Sequence, residues 1–158
     1  MPEAKILLCA DMHGLVNIAA NFKKEFEDTY DALFILGDTE WFALREILAA
    51  AKTNRVYGIL GNHDKWTLYD KYPVENIHGK CVSVNGVTFA GFQGSERYSG
   101  ADRPMYAQEE SRAVARTIPG ADVLLSHTSP YIGGKDPAHT GLVGIDDYIA
   151  RYHPKYVF

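Results

Sequence analysis

The chain has 158 residues, 16 Lys and Arg against 20 Asp and Glu, a formal net charge of −4 and 46% apolar residues. That length buries a sizeable core without disulfides or a structural metal, and the composition excludes low-complexity disorder. No apolar run approaches the ~20 residues of a bilayer span, no N-terminal block reads as a signal peptide, and no basic block suits a nucleic-acid backbone. The sequence therefore predicts a cytoplasmic protein with neither membrane nor nucleic acid as its main partner. Cys9 and Cys81 each sit in an apolar, strand-like run, where a buried free thiol is the ordinary reading.

Residues 5–9 form a short apolar run closed by a polar turn at 11–14, the pattern of a strand buried on both faces. Leu15, Ile18, Ala19, Phe22 and Phe26 then recur at three- and four-residue steps, which predicts one amphipathic helix. The unit repeats as a strand at 32–36, a turn at 37–40, a helix at 41–51 and a strand at 55–60. Strand, helix, strand, helix, strand implies right-handed crossovers and a parallel sheet.

After Pro73 the pattern changes. Residues 81–84 and 87–90 flank Asn85-Gly86, a pair that supplies the positive φ angles of a two-residue hairpin turn. Residues 91–104 read as a long polar, Gly-rich loop and 105–118 as a helix. A strand at 123–125 ends at His127, a second Gly/Pro/His loop covers 128–144, a helix runs from about 142 to 152, and 155–158 begins another strand.

In parallel α/β sheets, ligands bind beyond the carboxyl ends of the strands. There the first strand delivers Asp11 and His13, the second Asp38, the third Asn62, His63 and Asp64, and a later strand His127. Each group alone has a plain reading: Asp11, His13, Asp38 and Asp64 as turn or helix-end caps, His127 as a surface histidine. Four such coincidences at one end of four strands point instead to a metal site. The nitrogen and oxygen donors suit Mn, Fe, Zn, Ni or Mg. Arg97 and Tyr98 on the first long loop, and His139 on the second, are candidate substrate-binding residues, with a solvated loop arginine as the plain reading of Arg97.

The order Asp11-x-His13, Gly37-Asp38, Gly61-Asn62-His63-Asp64 and His127 resembles the calcineurin-like metallophosphoesterase superfamily, over the chain from its first strand to its last residue. Residues 37–40 and the long loop after His127 further resemble its small bacterial phosphodiesterases. The resemblance implies an α/β fold, a β-sandwich flanked by helices, as one domain over residues 1–158. It also implies two divalent metal ions, manganese foremost: Asp11 and His13 on the first, Asp38 bridging both, Asn62 and His127 on the second. Two cations about 3.5–4 Å apart turn a shared water into a hydroxide-like nucleophile. By the resemblance, His63 stands where the family protonates or orients the leaving oxygen, with Asp64 as a candidate to fix its tautomer or, equally, a loop-capping carboxylate.

The family's last motif, Gly-His-x-His after a strand, is not in this sequence, which stops after the lead-in at 152–158. The expectation is a fold truncated at its C-terminal end, with a frayed last strand and a second sheet holding little beyond its hairpin. The exposed hairpin face would then take cover from another chain, such as a second copy in a homo-oligomer. The implied activity is hydrolysis, as a phosphodiesterase, of a small phosphate ester or nucleotide. The alternative is a weakly active or inactive binding or scaffold module of the same fold.

Overall fold

The computed structural model describes residues 2–134, 136 and 139–158; Lys135, Pro137 and Ala138 of the second long loop lie outside the described residues. Strands β1 (Ile6–Cys9), β2 (Ala32–Leu36), β3 (Val56–Ile59) and β4 (Glu75–Asn76) form a parallel sheet in that order. All five residues of β2 are buried, as an unbroken Ala-Leu-Phe-Ile-Leu run requires of a strand covered on both faces.

A second sheet has the order β10 (Tyr156–Val157), β9 (Val123–Ser126), β6 (Val87–Phe92), β5 (Cys81–Val84). Only the β5–β6 hairpin is antiparallel. Its turn residues Asn85 and Gly86 take φ values of 51° and 84°. The two sheets face each other through Ala32, Phe34, Leu36 and Ile59 on one side and Val84, Phe89, Val123 and Leu125 on the other.

Alternate residues along the same strands fill two outer cores. Leu33 and Ile35 turn the other way, onto α1 (Ile18–Asn21), α2 (Lys23–Glu27) and α3 (Trp41–Ala50). Ala90, Phe92 and Leu124 turn onto α4 (Gln108–Thr117) and α5 (Val143–Tyr152). The layers are therefore helices, sheet, sheet, helices: an α/β sandwich flanked by helices.

Several expectations are corrected. The single helix from Leu15 is two short helices. Asn17 is left-handed at φ 58°, Phe22 departs from helical angles at φ −113°, ψ 33°, and the stripe residues Leu15 and Phe22 are exposed. The stretch 105–118 opens with a strand, β8 (Met105–Tyr106), paired in parallel with β7 (Ser95–Glu96) inside the expected loop. The second sheet has four strands rather than little beyond its hairpin. Its last strand is not frayed: Phe158 donates to Leu124 O (3.0 Å) and accepts from Ser126 N–H (2.7 Å). Among the described residues, no helix is long and apolar enough to cross a membrane.

Candidate metal centre

The carboxyl ends of β1, β2 and β3 open on one rim, and β9 brings the second sheet to the same place. Asp11 and Asp38 each follow their strand by two residues in the left-handed region, at φ 52° and 51°, a conformation aspartate tolerates better than bulky side chains. Asp11 N–H donates to Gly37 O at 3.1 Å and so ties the first two turns together. Gly37, at φ 93°, admits no side chain: a Cβ there would sit 2.6 Å from both Gly61 Cα and His127 Nδ1.

One oxygen joins two groups of donors. Asp38 Oδ2 lies 3.4 Å from His13 Nε2 and 3.5 Å from His127 Nε2. On the first side, His13 Nε2 is also 3.7 Å from Asp11 Oδ1, and ligand atoms of Asp11, His13 and Asp38 all fall within 4.8 Å of one another. On the second side, His127 Nε2 is 2.9 Å from Asn62 Oδ1. The other oxygen of Asp38 accepts the His63 backbone N–H at 2.8 Å.

The hydrogen bonding tests whether this set suits a cation. His127 Nδ1 lies 2.7 Å from Leu36 O, which can only accept, so the ring proton belongs on Nδ1 and Nε2 carries a lone pair. Asn62 spends its Nδ2 on Tyr98 Oη at 2.8 Å, which leaves Oδ1 facing His127. Three electron-pair donors, on Asp38, Asn62 and His127, thus converge with no proton among them unless the imidazole takes a second one. Without a cation the ring does tend that way. Burial pushes the His127 pKa down, but the hydrogen bond and charge of Asp38 outweigh it and hold it above the ordinary value. For Asp38, burial pushes the carboxyl up, and His127 with the His63 N–H outweighs that and holds it low. The donors fit a divalent cation on each side of Asp38.

His63 and Asp64 diverge. The His63 ring is exposed, meets His13 edge-on at 5.2 Å between centroids, and among the described residues has no hydrogen-bond partner for its nitrogens. Asp64 is buried and accepts from the backbone N–H groups of Asp38 (2.8 Å), Gly61 (2.8 Å) and Thr39 (3.2 Å). Its oxygens hold the turns at Asp38 and Gly61 in register, rather than the His63 ring. Burial pushes its carboxyl up, the three N–H groups pull the other way, and the Asp38 charge raises it further.

A cavity of about 340 Å³ is lined by Asp11, His13, Asp38, Asn62, His63, Tyr98, His127 and His139, with two residues that the sequence did not single out, Ser95 on β7 and Thr128 after β9. His139 reaches it from an exposed position, with Nδ1 2.7 Å from Asp136 Oδ2. Arg97 does not line it. Its guanidinium is held by Glu110 at 2.7 Å and by Met105 O at 3.2 Å, so that charge serves the β7–β8 region. Tyr98 touches the site through Asn62. The side chain of His127 is 6% exposed, far from a surface histidine.

Comparison with protein-family models matches the calcineurin-like phosphoesterase family over residues 4–158. A comparison with curated proteins returned no match. The chain belongs to the calcineurin-like phosphoesterase family, and with the Asp11, His13, Asp38 cluster this supports a phosphoric-ester hydrolase that uses divalent metal ions.

Proposed function

We propose that this calcineurin-like phosphoesterase is a cytoplasmic, manganese-dependent phosphodiesterase acting on a small phosphate ester or nucleotide. The observation that carries the reading is the shared Asp38 Oδ2, set between His13 and His127 with the Asn62 oxygen turned toward the same point. Asp11, His13 and Asp38 would hold one cation, and Asp38, Asn62 and His127 the other. Bound there, divalent cations supply acidification of water and neutralisation of phosphate charge.

The chain's own residues supply the rest. The buried Asp64 fixes the Asp38 and Gly61 turns, so the donors need little rearrangement during reaction. The His63 ring stands at the cavity wall with unengaged nitrogens and hands a proton to the departing alkoxide or aryloxide oxygen. Among the described residues, the cavity lining contains no Lys or Arg, since Arg97 is committed to Glu110. A monoester brings a second phosphate charge that no cationic side chain among the described lining residues meets, whereas a diester brings one. That difference supports the diester preference.

The test is hydrolysis of bis(p-nitrophenyl) phosphate and p-nitrophenyl phosphate by chelator-stripped protein with and without added Mn²⁺. The diester should be cleaved only with metal, faster than the monoester, and not by Asp38→Asn. Absence of metal-dependent hydrolysis of either ester overturns the phosphoesterase reading; faster monoester cleavage overturns the diester preference.

A further inference from the structure

His63 lines two cavities. Beyond it, away from the metal-binding residues, lies a space of about 450 Å³ whose walls include Trp41, Lys65, Lys71, Tyr72 and Arg103. That volume falls in the range of roughly 300–1,000 Å³ used by small-molecule sites. Its chemistry differs from that of the first cavity. Trp41 is 58% exposed, although an indole this size would ordinarily bury itself. The three cations make no ion pair and no side-chain hydrogen bond among the described residues, in a chain whose net charge is −4.

Of the two acids that line the space, Glu40 makes no ion pair with these cations among the described residues, and the Asp64 carboxylate is turned inward onto three backbone N–H groups. Asp102, next to Arg103 in the chain, accepts from Trp66 Nε1 at 2.8 Å. That bond also ties the segment carrying Lys65 to the segment carrying Arg103, so cations from two separate loops are held around one space.

We propose that this second cavity is the leaving-group subsite and takes a nucleobase-bearing phosphate. Trp41 provides the stacking surface, and Lys65, Lys71 and Arg103 hold an anionic group carried by the departing half. The assignment rests on the reading of His63 as proton donor to the leaving oxygen, because a group leaving past His63 enters this space. A plain aryl or sugar alcohol would use the aromatic wall and leave three cations unengaged. A nucleotide uses both.

Calorimetric titration of the chelator-treated, metal-free chain with AMP, adenosine and inorganic phosphate tests the subsite directly, since no proposed metal ligand lines it. AMP should bind, with adenosine and phosphate each weaker by roughly tenfold. Trp41→Ala should weaken AMP by roughly tenfold. The double variant Lys71→Ala/Arg103→Ala should weaken AMP by a similar factor and leave adenosine unchanged. AMP binding no tighter than inorganic phosphate, or an AMP affinity unmoved in both variants with native circular dichroism, overturns the subsite. The two readings fail distinguishably: AMP binding with no metal-dependent hydrolysis of any ester removes the phosphoesterase reading and the leaving-group role with it and keeps only a nucleotide site, whereas hydrolysis without AMP binding removes the subsite alone.

Discussion

The phenol oxygen of Tyr98 accepts a 2.8 Å hydrogen bond from Asn62 Nδ2, across 36 residues of sequence. An amide can present either end, and this bond uses up its nitrogen end, so the oxygen faces His127. Tyr98→Phe should therefore keep the fold and lose part of the orientation. Mn²⁺ affinity, read by electron paramagnetic resonance or calorimetry, should fall by roughly tenfold. An unchanged isotherm would remove Tyr98 from the metal site.

Asp64 answers three buried backbone donors at once. Stranding each of them costs about 1–3 kcal/mol, so Asp64→Ala should destabilise the chain by about 3 kcal/mol or more. Asp64→Asn, which keeps one carbonyl oxygen, should lose less. Urea midpoints of the two variants give the ranking. Equal stability of Asp64→Ala and the parent chain would mean that the turns are held by other contacts.

His63 lends its backbone N–H to Asp38 and leaves its ring free. His63→Ala keeps that backbone bond, so bound metal measured by elemental analysis should stay near the parent level. Turnover should fall on the order of a hundredfold for alkyl esters and much less for p-nitrophenyl esters, whose anion leaves without a proton. Equal losses across both ester types would argue against proton donation.

His78 lies outside the metal site, packed against Phe92 and Tyr106, and its Nδ1 accepts from Gln93 N–H at 3.2 Å. Burial pushes its pKa down to about 4, only partly offset by a backbone bond with Gly91. The unfolded chain titrates near the ordinary histidine value of about 6.5. Between these values the unfolded state binds a proton that the native ring refuses. Stability is therefore fully present above about pH 6.5 and falls as pH drops toward 4, by at most about 3 kcal/mol. His78→Asn, which keeps an acceptor for Gln93, should flatten that part of the stability profile measured by chemical unfolding.

Strands β1 to β3 of the first sheet were legible because buried parallel strands are continuous apolar runs and their connections follow a handedness rule, whereas the two-residue β4 went unread. Residues 32–36 were placed without error. The helix after β1 was not, because Asn17 and Phe22 break it through backbone angles that an apolar stripe does not encode. Strands β7 and β8 went unread for a similar reason. Two residues each are too short to show a period of two, and they exist only through pairing with each other.

By itself the sequence determined that Asp11, His13, Asp38, Asn62, His63 and His127 meet on one rim, because all of them follow strands that run the same way within their sheets. Tertiary structure decided which atom faces which. It turned Asp64 inward onto three amides, gave Arg97 to Glu110, set Tyr98 on Asn62, and opened a second cavity past His63 between Trp41 and Arg103. The physical reason is distance along the chain. A strand advertises itself through periodicity among neighbours, whereas the aim of a loop side chain depends on dihedral angles and partners tens of residues away, which no local pattern records.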